Sequence, residues 1–299
     1  VENILVLLSN PARPTLDTGT VQAIVEVLRS TDAKVGTPDW LAEGIACDIP
    51  FENPPGRGAP MDLGMTGIDA VTVTAQARRK KLLVADMEST MIENEMLDEL
   101  ADFLGLREKI AGITARAMNG EIDFEAALKA RVELLKGLPV STLDEAAKRI
   151  EYMPGGATLI ATMKKNGAYC ALVSGGFTYF TGMVREKLGF DVDAANTLTV
   201  AGTVLAGTVG MPILGKEAKL STLQRLCSEH GLGLADAITV GDGANDLPML
   251  QAAGQSGGLG VAFHAKPMVA AQVPARIHHG DLTALLYLQG YRRSDFIER

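Results

Sequence analysis

The sequence predicts an α/β protein: a doubly wound, Rossmann-like parallel sheet with an inserted helical cap, preceded by a small α+β N-terminal domain. Three observations predict it. From residue 82 onward, short runs that are apolar throughout end in small or acidic residues: LLVAD at 82–86, CALVSGG at 170–176, AITVGDG at 237–243 and GLGVAF at 258–263. Helical patterns separate these runs, and fully apolar strands alternating with helices imply a parallel sheet buried on both faces. Between the first two runs, residues 91 to about 153 carry helical periodicity and no strand signal.

The chain opens on an apolar strand pattern, Ile4–Leu8. An amphipathic helix pattern over Thr20–Leu28 follows, with Val21, Ile24, Val25 and Leu28 at helical spacing. A Pro/Gly-rich stretch, Pro54–Gly67, reads as a linker. A boundary near residue 75 then divides an accessory α+β domain, 1–75, from the remainder, 76–299. The basic run Arg78-Arg79-Lys80-Lys81 reads as a solvated linker whose charge discourages edge pairing. The cap segment breaks at Gly105, Gly120 and Gly137-Leu138-Pro139, with apolar faces from Leu97, Leu100, Ala101 and Leu104, then Ala127, Leu128, Val132 and Leu135. Such a cap would cover the carboxyl edge of the sheet, where open α/β sheets bind ligands. Two more helix patterns span Gly156–Asn166 and Lys216–His230.

Composition narrows the function. The 299 residues, 47% of them hydrophobic with 32 Gly, suffice for more than one globular domain. A net charge of -8 argues against a nucleic-acid partner, because that affinity needs clustered Lys and Arg against phosphates. No apolar stretch approaches the ~20 residues of a membrane span, and the N-terminus lacks a basic segment followed by an apolar one. A cytoplasmic protein with no membrane partner is expected. Cys47, Cys170 and Cys227 lie outside any metal-ligand or CxxC spacing and read as reduced core thiols. His278-His279 have no matching ligand set and read as structural or surface residues.

Parallel strands deliver their C-terminal ends to one edge, so Asp86/Glu88, Ser174-Gly175-Gly176 and Asp242-Gly243-Ala244-Asn245-Asp246 can converge there with Lys219 from a helix start. Singly, Asp86 and Ser174 could be helix caps, GDGAND a turn, and Lys219 a surface lysine. Jointly they suit phosphoryl transfer. A carboxylate can attack phosphorus and form an acyl phosphate, splitting one displacement into two. Approaching anions call for a hard divalent cation on oxygen ligands, for which Mg²⁺ suits one or two carboxylates plus phosphate. Lys219 adds a point charge, while Ser174 and the amides near Gly175 and Gly176 can bond phosphate oxygens.

DMEST, VSGGF, Lys219 and GDGAND, in this order, resemble the haloacid dehalogenase superfamily of phosphatases over about residues 80 to 290. The cap stretches ENEMLDELADFLG and AMNGEIDFEAALKARVELLKGLP bring the resemblance nearest to the phosphoserine phosphatases. The resemblance implies Asp86 as nucleophile and Mg²⁺ ligand, Glu88 as a backbone-carbonyl ligand and general acid/base, and Asp242 as the remaining protein ligand. Asp246 and Thr90 would be supporting residues, Thr90 by hydrogen bonding within the loop. Ser174, Gly175, Lys219 and Asn245 match phosphate-contacting positions. Glu95 and Arg131 match the substrate end, a carboxylate for an ammonium and a guanidinium for a carboxylate, both of which phosphoserine carries. Met118 and Phe124 match apolar positions over the substrate, where cap-core packing serves as an alternative explanation.

The family pattern is Asp-x-Asp-x-Thr, whereas this chain has Glu at 88. One extra methylene asks for another rotamer, and a misplacement near 1 Å costs on the order of 100-fold in rate. The expected activity is hydrolysis of O-phosphoserine to serine and phosphate, the last step of serine biosynthesis, through an aspartyl-phosphate. Two alternatives stay open: transfer of the phosphoryl group to another alcohol such as homoserine, and a slow or inactive phosphoserine-binding sensor. The N-terminal βα pattern is reminiscent of regulatory domains fused to some of these enzymes, and assembly of copies through it is a further expectation.

Overall fold

A computed structural model describes residues 2–52, 66–118, 121–215 and 217–298, without the side chains of residues 117 and 118. The linker stretch Pro54–Gly67 and the cap break at Gly120 fall largely outside the described residues, as does the side chain of Met118.

The N-terminal sheet contains β1 (Asn3–Ser9), β2 (Lys34–Val35), β3 (Asp39–Ala42), β4 (Ala46–Glu52) and β5 (Ile68–Thr74). Its order is β2-β4-β1-β5 with β3 also on β4, and every pairing is antiparallel. Helix α1 (Thr18–Arg29) starts where the Asp17 carboxylate accepts the Thr20 amide at 2.7 Å, a side-chain N-cap. Its buried face, Val21, Ile24, Val25 and Leu28, is the one the helical spacing predicts, and it packs on Leu5, Leu7, Cys47 and Ile49. Alternation along β1 sends Ile4, Val6 and Leu8 the other way, into the core of the larger sheet.

That larger sheet holds β6 (Leu82–Ala85), β7 (Tyr169–Phe177), β8 (Val192–Asn196), β11 (Ala237–Gly241), β12 (Leu259–Phe263) and β13 (Ala275–Ile277). The order β13-β12-β11-β6-β7-β8 is parallel throughout. Helices α6 (Gly156–Lys165) and α7 (Thr178–Leu188) bury apolar residues in the core on one side of the sheet, and α8 (Ala218–Glu229) and α9 (Leu247–Gln255) do so on the other. Two short helices, α10 (Pro267–Ala270) and α11 (Ala284–Leu288), follow.

Between β6 and β7 the cap contributes α2 (Met96–Asp102), α3 (Arg107–Met118), α4 (Phe124–Glu133) and α5 (Ser141–Ala147). The turn between α2 and α3 places Gly105 at φ +64°, the left-handed conformation that suits glycine. A hairpin that the sequence reading misses, β9 (Leu198–Ala201) and β10 (Val204–Val209), docks on the cap. Leu205 donates to Leu138 O at 2.8 Å and accepts from the Gly137 amide at 2.9 Å. Gly202 and Thr203 between two Val- and Thr-rich runs are the signal that could have found it.

The basic run departs from expectation, because β6 is a central strand, Lys80 is buried and Arg78 is partly buried. Lys80 is 5% exposed and donates to the carbonyls of Ala235 and Gly257. Arg78 forks onto the buried Asp48 and also reaches the carbonyls of Tyr287 and Leu288. Each cation is satisfied by fixed acceptors, which makes its burial tolerable. Arg79 and Lys81 remain exposed, beside Asp295 and Asp236. The three cysteines are free and buried, as expected. Among the described residues no helix is long and apolar enough to cross a membrane.

Candidate active site

Three strand ends and one helix start meet at the carboxyl edge. Asp86 follows β6, and its amide donates to Val240 O on β11 at 3.0 Å, which binds the two loops together at their roots. Asp242 follows β11, and Asp246 precedes α9. Oxygens of Asp86, Asp242 and Asp246 all lie within 4.8 Å of one another. Lys219, in the first turn of α8 and only 3% exposed, places Nζ 2.7 Å from Asp86 Oδ1 and 2.6 Å from Asp246 Oδ1. Gly243 donates to the other Asp246 oxygen at 2.9 Å, so both oxygens of Asp246 are engaged by the protein. Gly241 is required here, since a Cβ would sit 2.2 Å from Asp246 Cγ.

The electrostatics are those of crowded buried carboxylates. Burial, then the charge of Asp246, push the Asp86 carboxyl well above its ordinary value, against the pull of Lys219. Burial pushes Asp242 up to about 6. Burial alone would lower the Lys219 ammonium, but the charges of Asp246 and Asp86 outweigh it and hold it above its usual range. Three clustered carboxylates against one buried ammonium leave a negative, all-oxygen donor set, the chemistry that fits a hard divalent cation.

Glu88 turns its longer side chain toward two groups. Oε1 accepts the Met96 amide at 2.8 Å, at the start of the first cap helix. Oε2 lies toward β7: a Cβ on Gly176 would come within 2.9 Å of it and 3.1 Å of Ser174 Oγ, so a bare glycine is what admits the glutamate. Burial first, then the charge of Glu95, raise the Glu88 carboxyl to about 8. Ser174 is 2% exposed, and its hydroxyl accepts the Gly176 amide at 2.9 Å. It is no helix cap, because β7 runs on to Phe177 before α7 begins.

The cap completes the enclosure. Asp123 caps α4 through the Ala126 amide at 2.9 Å, and α4 sets Phe124 and Arg131 seven residues apart, hence on one face. The Phe124 ring lies over Gly175, 3.4 Å from where a Cβ would be. Arg131 is half-buried, with Nη1 donating to Thr114 Oγ1 at 3.3 Å and Nε to Ala127 O at 3.2 Å. Burial lowers its guanidinium, opposed by the nearby charges of Glu88, Asp98 and Glu95. Glu95 is exposed at the N-cap of α2, its carboxylate accepting the Ser89 hydroxyl at 2.9 Å. Asn245 stays beside the loop, its Oδ1 2.5 Å from where a Cβ on Gly243 would stand.

Thr90 differs from expectation: it is fully buried, but its hydroxyl finds no hydrogen-bond partner. Main chain ties the loop instead, as Met87 O accepts the amides of Thr90, Met91 and Ile92. Three residues escaped the sequence reading. Lys266 follows the β12 end, its amide bonding Asp242 O at 3.1 Å and its Nζ 3.8 Å from Asp242 Oδ2. Asn196, buried at the end of β8, donates to Gly175 O at 2.9 Å and braces the loop. Ser89 holds Glu95. Lys266 had a visible signal, a basic residue just past an apolar strand run, whereas Asn196 and Ser89 had none outside their contacts.

Comparison with known proteins agrees with this geometry. The sequence profile described as haloacid dehalogenase-like hydrolase matches residues 83–251. A phosphoserine phosphatase of Streptomyces coelicolor is 40% identical over 231 residues, covering 77% of this chain, and the chain spans 55% of that relative's length. The crystal structure of a haloacid dehalogenase family hydrolase from Salmonella enterica serovar Typhi superposes with a TM-score of 0.83 at 28% identity, covering 96% of this chain and 97% of that one. A phospho-aspartyl intermediate analogue of phosphoserine phosphatase superposes with a TM-score of 0.64 at 38% identity, covering 70% of this chain and 98% of that one. With strand-end aspartates, buried lysine, cap and profile in agreement, the chain belongs to the haloacid dehalogenase-like hydrolases.

Proposed function

We propose that the protein is a Mg²⁺-dependent phosphoserine phosphatase. The observation that carries this reading is a buried Asp86 held by Lys219 beside Asp242, facing a cap that presents both a carboxylate and a guanidinium. The relatives' printed activity supports it. Residues 1–75 are read as an accessory unit, and 76–299, with the cap at 91–153, as the unit that does the chemistry.

Asp86, Asp242 and the Glu88 carbonyl would hold the Mg²⁺, which when bound supplies the positive charge that lets a carboxylate approach a phosphate. An Asp86 oxygen attacks phosphorus, the ester P–O bond breaks, and an aspartyl-phosphate forms. Glu88, protonated at neutral pH by its raised pKa, hands its proton to the departing seryl oxygen. The resulting carboxylate then takes a proton from water as that water attacks phosphorus, freeing phosphate and Asp86. Lys219, Ser174, Gly175 and Asn245 stabilise the phosphoryl oxygens. Glu95 receives the substrate's ammonium, Arg131 its carboxylate, and Phe124 keeps water from the closed site.

The test is phosphate release from a panel of small phosphomonoesters with Mg²⁺. Phosphoserine is expected to be the preferred substrate, and Asp86→Asn to abolish turnover. Efficient turnover of another ester with none of phosphoserine would refute the substrate, and activity surviving in Asp86→Asn would refute the covalent route.

A further inference from the structure

Ser89 sits three residues after Asp86 with φ +54°, in the left-handed region that side-chain-bearing residues rarely adopt. Glycine would take that conformation without strain. What serine adds is a hydroxyl, and it donates to Glu95 Oε1 at 2.9 Å. Glu95 stands at the N-cap of α2, where a side-chain oxygen can accept a first-turn amide. It makes no such bond: its carboxylate is drawn out of the helix toward the reacting loop.

A second bond runs between the same two segments in the opposite sense, from the Met96 amide to Glu88 Oε1 at 2.8 Å. Residues 88–89 and 95–96 therefore form a clasp in which each segment donates once and accepts once. The clasp joins the strand-end loop that carries Asp86 to the first helix of the cap.

We propose that Ser89 is the positioning residue for Glu95: its hydroxyl holds the amine-recognising carboxylate in register with Asp86 and thereby sets the preference for phosphate esters that carry an α-amino group. This rests on the substrate reading above. A glycine at position 89 would relieve the backbone and leave the Glu95 carboxylate without this donor.

The experiment compares phosphoserine with the phosphate ester of 3-hydroxypropanoate, which is phosphoserine without its amine, in the wild type, Ser89→Gly, Glu95→Gln and the double variant. Ser89→Gly relieves the backbone, so its thermal midpoint is expected to equal or exceed that of the wild type. Its KM for phosphoserine should rise about tenfold, the scale of one lost hydrogen bond to a charged group, with kcat within about twofold. KM for the amine-free ester should move less than about twofold, and adding Ser89→Gly to Glu95→Gln should cost nothing further, since the two act as one unit. A Ser89→Gly enzyme that keeps the wild-type ratio of KM values, or loses both substrates equally, overturns the positioning role while leaving the substrate reading intact. A wild type that does not prefer the amine-bearing ester overturns the substrate reading and this inference with it.

Discussion

Glu88 carries one methylene more than the aspartate of its family pattern, and its surroundings are built for that length. Met96 N–H fixes one oxygen, and the bare Gly176 makes room for the other. Glu88→Gln should lower phosphate release by roughly 10²–10⁴-fold, the usual weight of a positioned acid/base. In the role proposed for it, Glu88 must be protonated to act as the acid, so the wild-type rate should fall as pH rises through about 8. That alkaline limb should disappear in Glu88→Gln, which pH–rate profiles of both proteins would reveal. Asp242 titrates in the other direction. A cation binds its ionised form, so Mg²⁺ affinity is expected to be full well above pH 6 and to weaken as pH falls through about 6, where the carboxyl takes up a proton. Calorimetric Mg²⁺ titration at pH 5 and pH 7.5 measures this without reference to turnover.

Among the elements, the cap and the β9–β10 hairpin form one body. Gly207 in β10 has φ +76°, and a Cβ there would stand 2.7 Å from Lys136 Cβ in the turn after α4. Gly207→Ala should therefore destabilise the protein by about 2 kcal/mol or more, combining left-handed strain with overlap. Urea unfolding gives the loss directly. A rise in KM above any fall in kcat would trace it to the cap, since α4 bears Phe124 and Arg131. Tyr179 on α7 donates its hydroxyl to Asp144 on α5, a second attachment between the cap and the sheet's helices.

In the whole molecule, the N-terminal sheet is held to the larger one by polar contacts as well as by a shared core. The Asp69 carboxylate, 4% exposed, accepts the amides of His278, His279 and Gly280 just past β13. This gives His278-His279 the structural role expected of them, through their backbone and not their rings. Arg78, which ties Asp48 of β4 to the carbonyls of Tyr287 and Leu288, is a second clamp. Asp69→Ala strands the buried Gly280 amide and the part-buried amides of His278 and His279, and should cost about 2 kcal/mol. Differential scanning calorimetry should show a lower unfolding midpoint, and a split into two transitions would mean the clamp also enforces cooperativity between the sheets.

Much of this was legible in one dimension. Uniformly apolar runs at 82, 170, 237 and 258, alternating with helical patterns, read as strands buried on both faces, and a parallel sheet brings their acidic ends to one edge. So Asp86, Asp242, Asp246 and Lys219 could be grouped before any contact was known. The hairpin had its signal in Gly202-Thr203 between two Val- and Thr-rich runs, but the burial of Lys80 and the partial burial of Arg78 were not legible, because a charge run looks the same whether carbonyls or water receive it. Thr90 was misjudged for a related reason: a hydroxyl's partner depends on where the chain turns, and the Met87 carbonyl took the bonds. By itself, then, the sequence determined the strand ends and the chemical identity of the groups they carry, since periodicity and residue type are local properties. Only the tertiary structure decided what holds each group, Glu88 on Met96 and Glu95 on Ser89, because those bonds depend on how the loop turns back on itself within six to eight residues, which residue type and periodicity do not encode.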